Sequence, residues 1–107
     1  MSYGVELSEQ AENDLRAIYE YIAWVLAAPQ AAAHQLDRLE QKILSLGELP
    51  ERYHRYEKEP WHSRGLRRMP VDHYSVFYLV DDQSVYVLRV IYGRRDMETQ
   101  LGELAEE

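Results

Sequence analysis

Apolar residues along the first half of the chain recur at helical spacing. Ala11, Leu15, Ile18, Ile22 and Leu26 follow at steps of four, three, four and four, which places them on one stripe of a helix. Ser8 stands where an N-cap is needed, with Glu9 and Glu12 in the first turn, where negative charge suits the helix dipole. The spacing predicts a helix over about residues 9–26, with Tyr19, Tyr21 and Trp24 flanking the stripe. Pro29 ends it and suits the first turn of the next helix. Ala32, Leu36, Leu39, Ile43 and Leu46 then step by four, three, four and three, and Gly47 and Pro50 supply the stop, so a second helix is predicted over about residues 30–46. So short a link between them implies an antiparallel helical hairpin that offers one apolar platform.

Elsewhere the period is two or the run is continuous. Tyr3, Val5 and Leu7 alternate with Ser2, Gly4 and Glu6, which predicts a short N-terminal strand with one buried face. Residues 74–80 and 85–92 are rich in Tyr, Val, Phe, Leu and Ile, and predict two strands joined by the polar loop Asp81-Asp82-Gln83-Ser84 as an antiparallel hairpin. Both parities of each strand are largely apolar, so neither face can be left to water. One face needs the helices, and the other needs a lining or a partner. Residues 66–71 predict the strand before the hairpin, with Pro70 confining it to an edge or a bulge. Arg67, Met69 and Val71 share one of its faces and Leu66 and Arg68 the other, so Arg68 points away from the helices if Met69 and Val71 join the helix-covered core. Residues 51–65 show no clean period and predict an irregular excursion pinned by the Trp61 ring. Met97, Leu101 and Leu104 are spaced as one side of a short C-terminal helix that frays into the acidic end. The fold class expected is α+β: an N-terminal strand, an antiparallel helical hairpin, then a mainly antiparallel three-stranded meander completing a small twisted sheet, with a short C-terminal helix.

A length of 107 residues fits one domain, spanning 1–107, with a single real core. The 46% hydrophobic content argues against disorder, and no apolar run approaches the roughly 20 residues that cross a bilayer. The first residues lack the basic, apolar, small-residue order of a secretion signal, so a cytoplasmic location is expected, with no membrane. The absence of cysteine excludes disulfides, thiolate metal sites and a cysteine nucleophile. The net charge of −7 is segregated: residues 1–49 hold three cations and eight anions, whereas residues 50–96 hold nine cations and seven anions. An acidic whole disfavours indiscriminate binding to nucleic acid, but the clusters Arg64, Arg67, Arg68 and Arg94, Arg95 beside the hairpin form a local patch able to meet phosphate.

Most familiar chemistries find no support. No Ser stands in a Gly-flanked elbow, His34, His54, His62 and His73 lack the spacing of a zinc helix, and the five glycines never cluster as a phosphate cradle. No metal and no cofactor are expected. Asp81 and Asp82 have their ordinary home in a hairpin loop. What is left is arginine forks around a small sheet, with Tyr74, Tyr78 and Tyr92 to stack or relay protons and Glu57, Glu59 and His62 as acid or base groups.

Five stretches in this order resemble the RelE/ParE superfamily of toxins from type II toxin-antitoxin modules, over essentially the whole chain. They are Leu7-Ser8-Glu9-Gln10-Ala11-Glu12-Asn13-Asp14-Leu15, the Leu-Pro-Glu-Arg turn at residues 49–52, Gly65-Leu66-Arg67, residues 74–78, and the run from Leu88 to Asp96. The resemblance implies a growth-inhibiting toxin neutralised by a cognate antitoxin. One branch, RelE-like, cuts mRNA in the ribosomal A site; the other, ParE-like, poisons DNA gyrase without cutting RNA. Arg68 and Arg95 match catalytic cations of the nucleases, Tyr92 matches a terminal tyrosine, and His62 is a stand-in acid or base. Arg64, Arg67 and Arg94 would then contact target or RNA. Three departures weigh against a nuclease: Ser75 replaces a further arginine, Ile91 replaces a histidine, and no tyrosine follows Asp96. The closing run from Arg89 to Asp96 looks more like the ParE branch. A non-nucleolytic toxin with a protein target such as gyrase, a ribosome-dependent mRNA endonuclease and a detoxified antitoxin-binding member all stay open at this point. Tyr19 and Trp24 on the helical hairpin, or Met97 and Leu101 near the C-terminus, are the expected anchors for the antitoxin.

Overall fold

The computed structural model describes residues 2–93 and Leu101. Strand β1, Gly4–Leu7, leads through Ser8 into helix α1, Glu9–Glu20. The Ser8 hydroxyl accepts from the Ala11 N–H at 2.9 Å and donates to the Leu88 carbonyl at 2.8 Å, so one side chain caps the helix and ties it to the sheet. Helix α1 then widens into a π-helical turn, Tyr21–Val25. Helix α2, Pro29–Leu44, begins with proline in its first turn and closes in a 3₁₀ turn, Ser45–Gly47. A second 3₁₀ turn, Pro50–Arg52, and the one-turn helix α3, Trp61–Arg64, punctuate the excursion. Strands β2, Arg67–Val71, β3, Tyr74–Val80, and β4, Ser84–Tyr92, complete the order.

The four strands form one sheet in the order β1-β4-β3-β2. Strands β2, β3 and β4 are the expected antiparallel meander, with Met69 opposite Val76 and Tyr74 opposite Tyr92. β1 instead joins β4 in parallel, Val5 beside Val85, so the sheet is mixed. Pro70 lies on the edge strand β2, as its missing N–H requires. A register shift at Phe77/Tyr78 marks a bulge opposite β4. There Arg89 meets Asp14 of α1 through bonds of 2.8 and 3.0 Å, while the Val90 N–H donates to the same carboxylate at 2.9 Å.

Two apolar clusters cover the two faces of the sheet. Ala11, Leu15, Leu39, Ile43 and Leu46 from the helical layer pack on Met69, Val71, Val76, Tyr78, Val85, Val87 and Val90. Trp61, Leu66, Phe77, Ile91 and Leu101 close the other face. The lining demanded by two apolar parities thus comes from the excursion, pinned by Trp61, and from Leu101.

Several local expectations shift. The hairpin loop has three residues, 81–83, because Ser84 joins β4, and the Asp81 carboxylate accepts from the N–H groups of Gln83 and Ser84. Tyr3 and Val5 pack against the core but Leu7 is exposed, since the chain already turns at Ser8. The π turn adds a residue to the helical cycle, so the buried stripe passes to Ala23 and Leu26 faces solvent. Met97 and Leu104 lie outside the described residues, as do Arg94 and Arg95.

Candidate functional site

The meander brings its polar residues together at one end. β2 and β3 are joined by Asp72 and His73 alone, and Asp72 takes a positive φ of 55°, a conformation that aspartate tolerates better than most side chains. Its carboxylate is gripped from α2: Arg38 donates through Nε at 2.8 Å and Nη2 at 3.0 Å, and Gln35 through Nε2 at 3.0 Å. The Arg38 bond, then that of Gln35, holds the Asp72 carboxyl below its usual range. The turn is therefore fastened to the helical layer.

Next to it, the pairing of Tyr74 with Tyr92 sets their rings edge to face, 5.3 Å between centroids. Tyr74 is buried, and burial, then the proximity of Tyr92, pushes its phenol up. Tyr92 is 67% exposed. The His73 ring lies 6.5 Å from the Tyr92 ring, and its backbone carbonyl accepts from the Gly93 N–H at 2.9 Å. On the side of the sheet away from the helices, Arg68 donates through Nε to the buried Ser75 hydroxyl at 2.8 Å. Arg68, Asp72, His73, Tyr74, Ser75 and Tyr92 line one cleft of about 340 Å³.

The remaining expected residues lie elsewhere. His62 sits on α3, with Nδ1 3.8 Å from the Glu59 carboxylate, and does not line the cleft. Glu59 is held by the backbone N–H and the hydroxyl of Ser63, and the hydroxyl bond is the larger cause that lowers its carboxyl. A carboxylate so fixed is a poor proton donor. Arg64 lies over the Trp61 ring at 5.4 Å. Arg67, with only 15% of its side chain exposed, donates to the Tyr53 carbonyl at 2.7 Å and the Glu51 carbonyl at 3.3 Å, so it braces the excursion. Tyr78, grouped by sequence with Tyr74 and Tyr92, is fully buried under the helices instead and donates to the Pro50 carbonyl at 2.6 Å. Strand alternation explains the division, since Arg67 pairs with Tyr78 while Arg68 takes the other face.

Of the anchors expected for a partner, Trp24 is 72% exposed and Tyr19 is half-buried. Trp24 shares the tip of the helical hairpin with exposed Tyr21, Val25 and Leu26. Leu101 is fully buried against Phe77 and Ile91, because the sheet's second face needs it. Among the described residues, no group of His, Asp and Glu is arranged to hold a metal ion, and no helix is long and apolar enough to cross a membrane.

Asp72 and His73 are cleft residues that the sequence patterning does not single out as a site, His73 entering it only as a histidine without zinc-helix spacing. The signal for both is the two-residue gap between residues 71 and 74, which fixes a tight turn and carries residue 73 to the end of the strand that holds Tyr92.

The family model described as ParE toxin of the type II toxin-antitoxin system parDE matches residues 5–97. A search of curated proteins by sequence returns no match. Among solved structures, the chain is similar to the chromosomal ParDE toxin-antitoxin system from P. aeruginosa, with 20% identity, a TM-score of 0.72, and coverage of 87% of this chain and 98% of that one. It is also similar to a chain of the RelBE2 toxin-antitoxin complex from Mycobacterium tuberculosis, at 22% identity and a TM-score of 0.61, covering 86% and 92%. A chain of the E. coli DinJ-YafQ toxin-antitoxin complex matches at 17% identity and a TM-score of 0.51, covering 86% and 93%. At these identities the structural likeness speaks for the fold.

Proposed function

Because the chain belongs to the ParE toxin family of type II toxin-antitoxin systems, within the RelE/ParE superfamily, we propose that it arrests growth from within the cytoplasm by acting on a protein target such as DNA gyrase, and that a cognate antitoxin neutralises it. The match to the ParE family over residues 5–97 carries this reading. The cleft supports it further: Ser75 stands where the RelE-type nuclease has a cation, Arg68 spends Nε on that serine, and His62 lies on another element. Losing one acid or base group lowers a rate by about 10²-fold or more, so a nuclease built from the expected set alone would be slow. The antitoxin covers the exposed hairpin tip around Trp24, where an apolar helix face can dock. The similar structures include toxin-antitoxin complexes, in keeping with such a partner.

One observation favours the second reading, a ribosome-dependent mRNA endonuclease: Arg68, His73 and Tyr92 share one cleft. Two assays on purified protein separate the two. Inhibition of gyrase supercoiling, with no new cuts in primer-extension maps of ribosome-bound mRNA, is the expected result. Cuts that require the ribosome and vanish in Arg68→Ala would replace the gyrase reading with the nuclease. A chain that fails to arrest growth when expressed without its antitoxin would be the detoxified member, and both readings would fall.

A further inference from the structure

The turn that follows α2 holds a leucine in a backbone conformation that its own side chain disfavours. Leu49 takes a positive φ of 47°, where a bulky residue is rare, and it is 75% exposed. Burial therefore does not offset the strain, and packing within the fold is not what a leucine supplies at this position. The backbone around it is nevertheless held firmly. Arg52 donates to the carbonyls of Glu48, of Leu49 at 3.1 Å and of Ser45 at 3.3 Å, and to the Ser45 hydroxyl at 2.9 Å. The next two carbonyls, those of Pro50 and Glu51, accept from Tyr78 at 2.6 Å and from Arg67 at 3.3 Å. A side chain carried on so fixed a backbone has little left to order when it docks.

Beside Leu49 lies a cleft of about 260 Å³, with Tyr3, Leu49 and Pro50 as apolar walls and Glu51 and Arg52 at its rim. Ordinary ligand sites start near about 300 Å³, so this cleft suits the insertion of one apolar side chain rather than a small molecule. Exposed Leu44 adjoins Ser45, which the same guanidinium holds, and brings a second leucine to the turn. We propose that two copies of this chain associate through this turn about a twofold axis, each placing Leu49 in the cleft of the other. Leu49 is at once the projecting side chain and a wall of the cleft, so the patch is complementary to itself, as an isologous contact requires. Its rim carries both signs, Arg52 beside Glu48 and Glu51, so the cation of one copy meets the anions of the other. That balance matters for a chain of net charge −7, whose copies otherwise repel. The hairpin tip lies at the far end of α2, sixteen residues or about 24 Å away, so an antitoxin there and a second copy here do not exclude one another. The contact is smaller than a standard interface of about 1,600 Å², and a dissociation constant on the order of tens of micromolar is expected.

The test is sedimentation equilibrium of the full chain from about 5 µM to about 500 µM, a range that brackets such an affinity. The parent mass should rise with concentration towards that of a dimer. Glycine adopts the Leu49 conformation without strain, so Leu49→Gly should keep a urea midpoint no lower than the parent's while weakening association about tenfold or more. Trp24→Ala, at the hairpin tip, should associate like the parent. A monomer throughout the range, or an unchanged dimer in Leu49→Gly, would overturn the proposal. So would loss of the dimer in Trp24→Ala, which would move the contact to the tip, or a lower midpoint in Leu49→Gly, which would make the leucine a support of the fold. Gyrase, ribosome and antitoxin are all absent from this measurement, so its failure would leave the proposed toxin activity standing.

Discussion

Tyr78 takes its hydroxyl beneath the helices to the Pro50 carbonyl and so fixes the start of the excursion against the sheet. Burial, the largest cause, pushes its phenol from the ordinary value near 10 up to about 12. The folded state therefore keeps the proton that the unfolded chain loses first. The stabilisation is complete below about pH 10 and is lost as pH rises towards 12. Urea midpoints should fall across that window, and should fall less in Tyr78→Phe. At neutral pH the same variant should lose about 1 kcal/mol or more, because a buried carbonyl is left without its donor. A parent chain whose midpoint stays level to pH 12 would refute this account. The position shows what sequence alone could tell at this scale. Alternation sorted Arg67 from Arg68 and Met69 from Leu66 correctly, but it cannot say that Arg67 and Tyr78 brace the excursion, because their partners lie 14 and 28 residues away.

Among elements, the helical hairpin was the most legible, since its stripes rest on local spacing and on Ser8 and Pro29 as punctuation. The π turn that ends it was not, because an i→i+5 pattern leaves no distinct period in so short a run. Its consequence is chemical: it turns Leu26 off the buried stripe and leaves it exposed at the tip with Tyr21, Trp24 and Val25. Replacing an exposed side chain of this kind changes stability by no more than about 0.5 kcal/mol, whereas a tryptophan anchor at an interface is worth about 2 kcal/mol or more. Trp24→Ala should thus keep the urea midpoint of the parent while weakening the cognate antitoxin about thirtyfold, measured by calorimetry on the two purified proteins. Equal affinity for parent and variant would remove Trp24 from the interface. The excursion was legible only as irregular, and α3 within it is too short for a periodic signal.

For the molecule as a whole, two facts about the sheet decide the layout. Both of its faces are apolar, so the chain must supply two covers, and the second is assembled from Trp61, Leu66 and Leu101, which are distant in sequence. Truncating the fully buried Leu101 to alanine should cost about 3 kcal/mol, lowering the urea midpoint without a change in slope. A loss under about 0.5 kcal/mol, the range of a surface substitution, would mean that this cover contributes little. The fold class was readable because strand and helix order follow from patterning, and the cleft was half readable, since Arg68 and Tyr92 carry recognisable chemistry while His73 enters only through register. The parallel pairing of β1 with β4 could not be read at all, since four residues carry no signature of their neighbour. That pairing has a consequence for synthesis. β1 leaves the ribosome first, yet its partners, residues 84–87, are made some eighty residues later, and Asp14 likewise waits for Arg89 and the Val90 N–H. A nascent chain short of β4 has neither a bonded first strand nor a partner for Asp14, so the first strand and helix α1 are fastened to the sheet only once the last strand has been made.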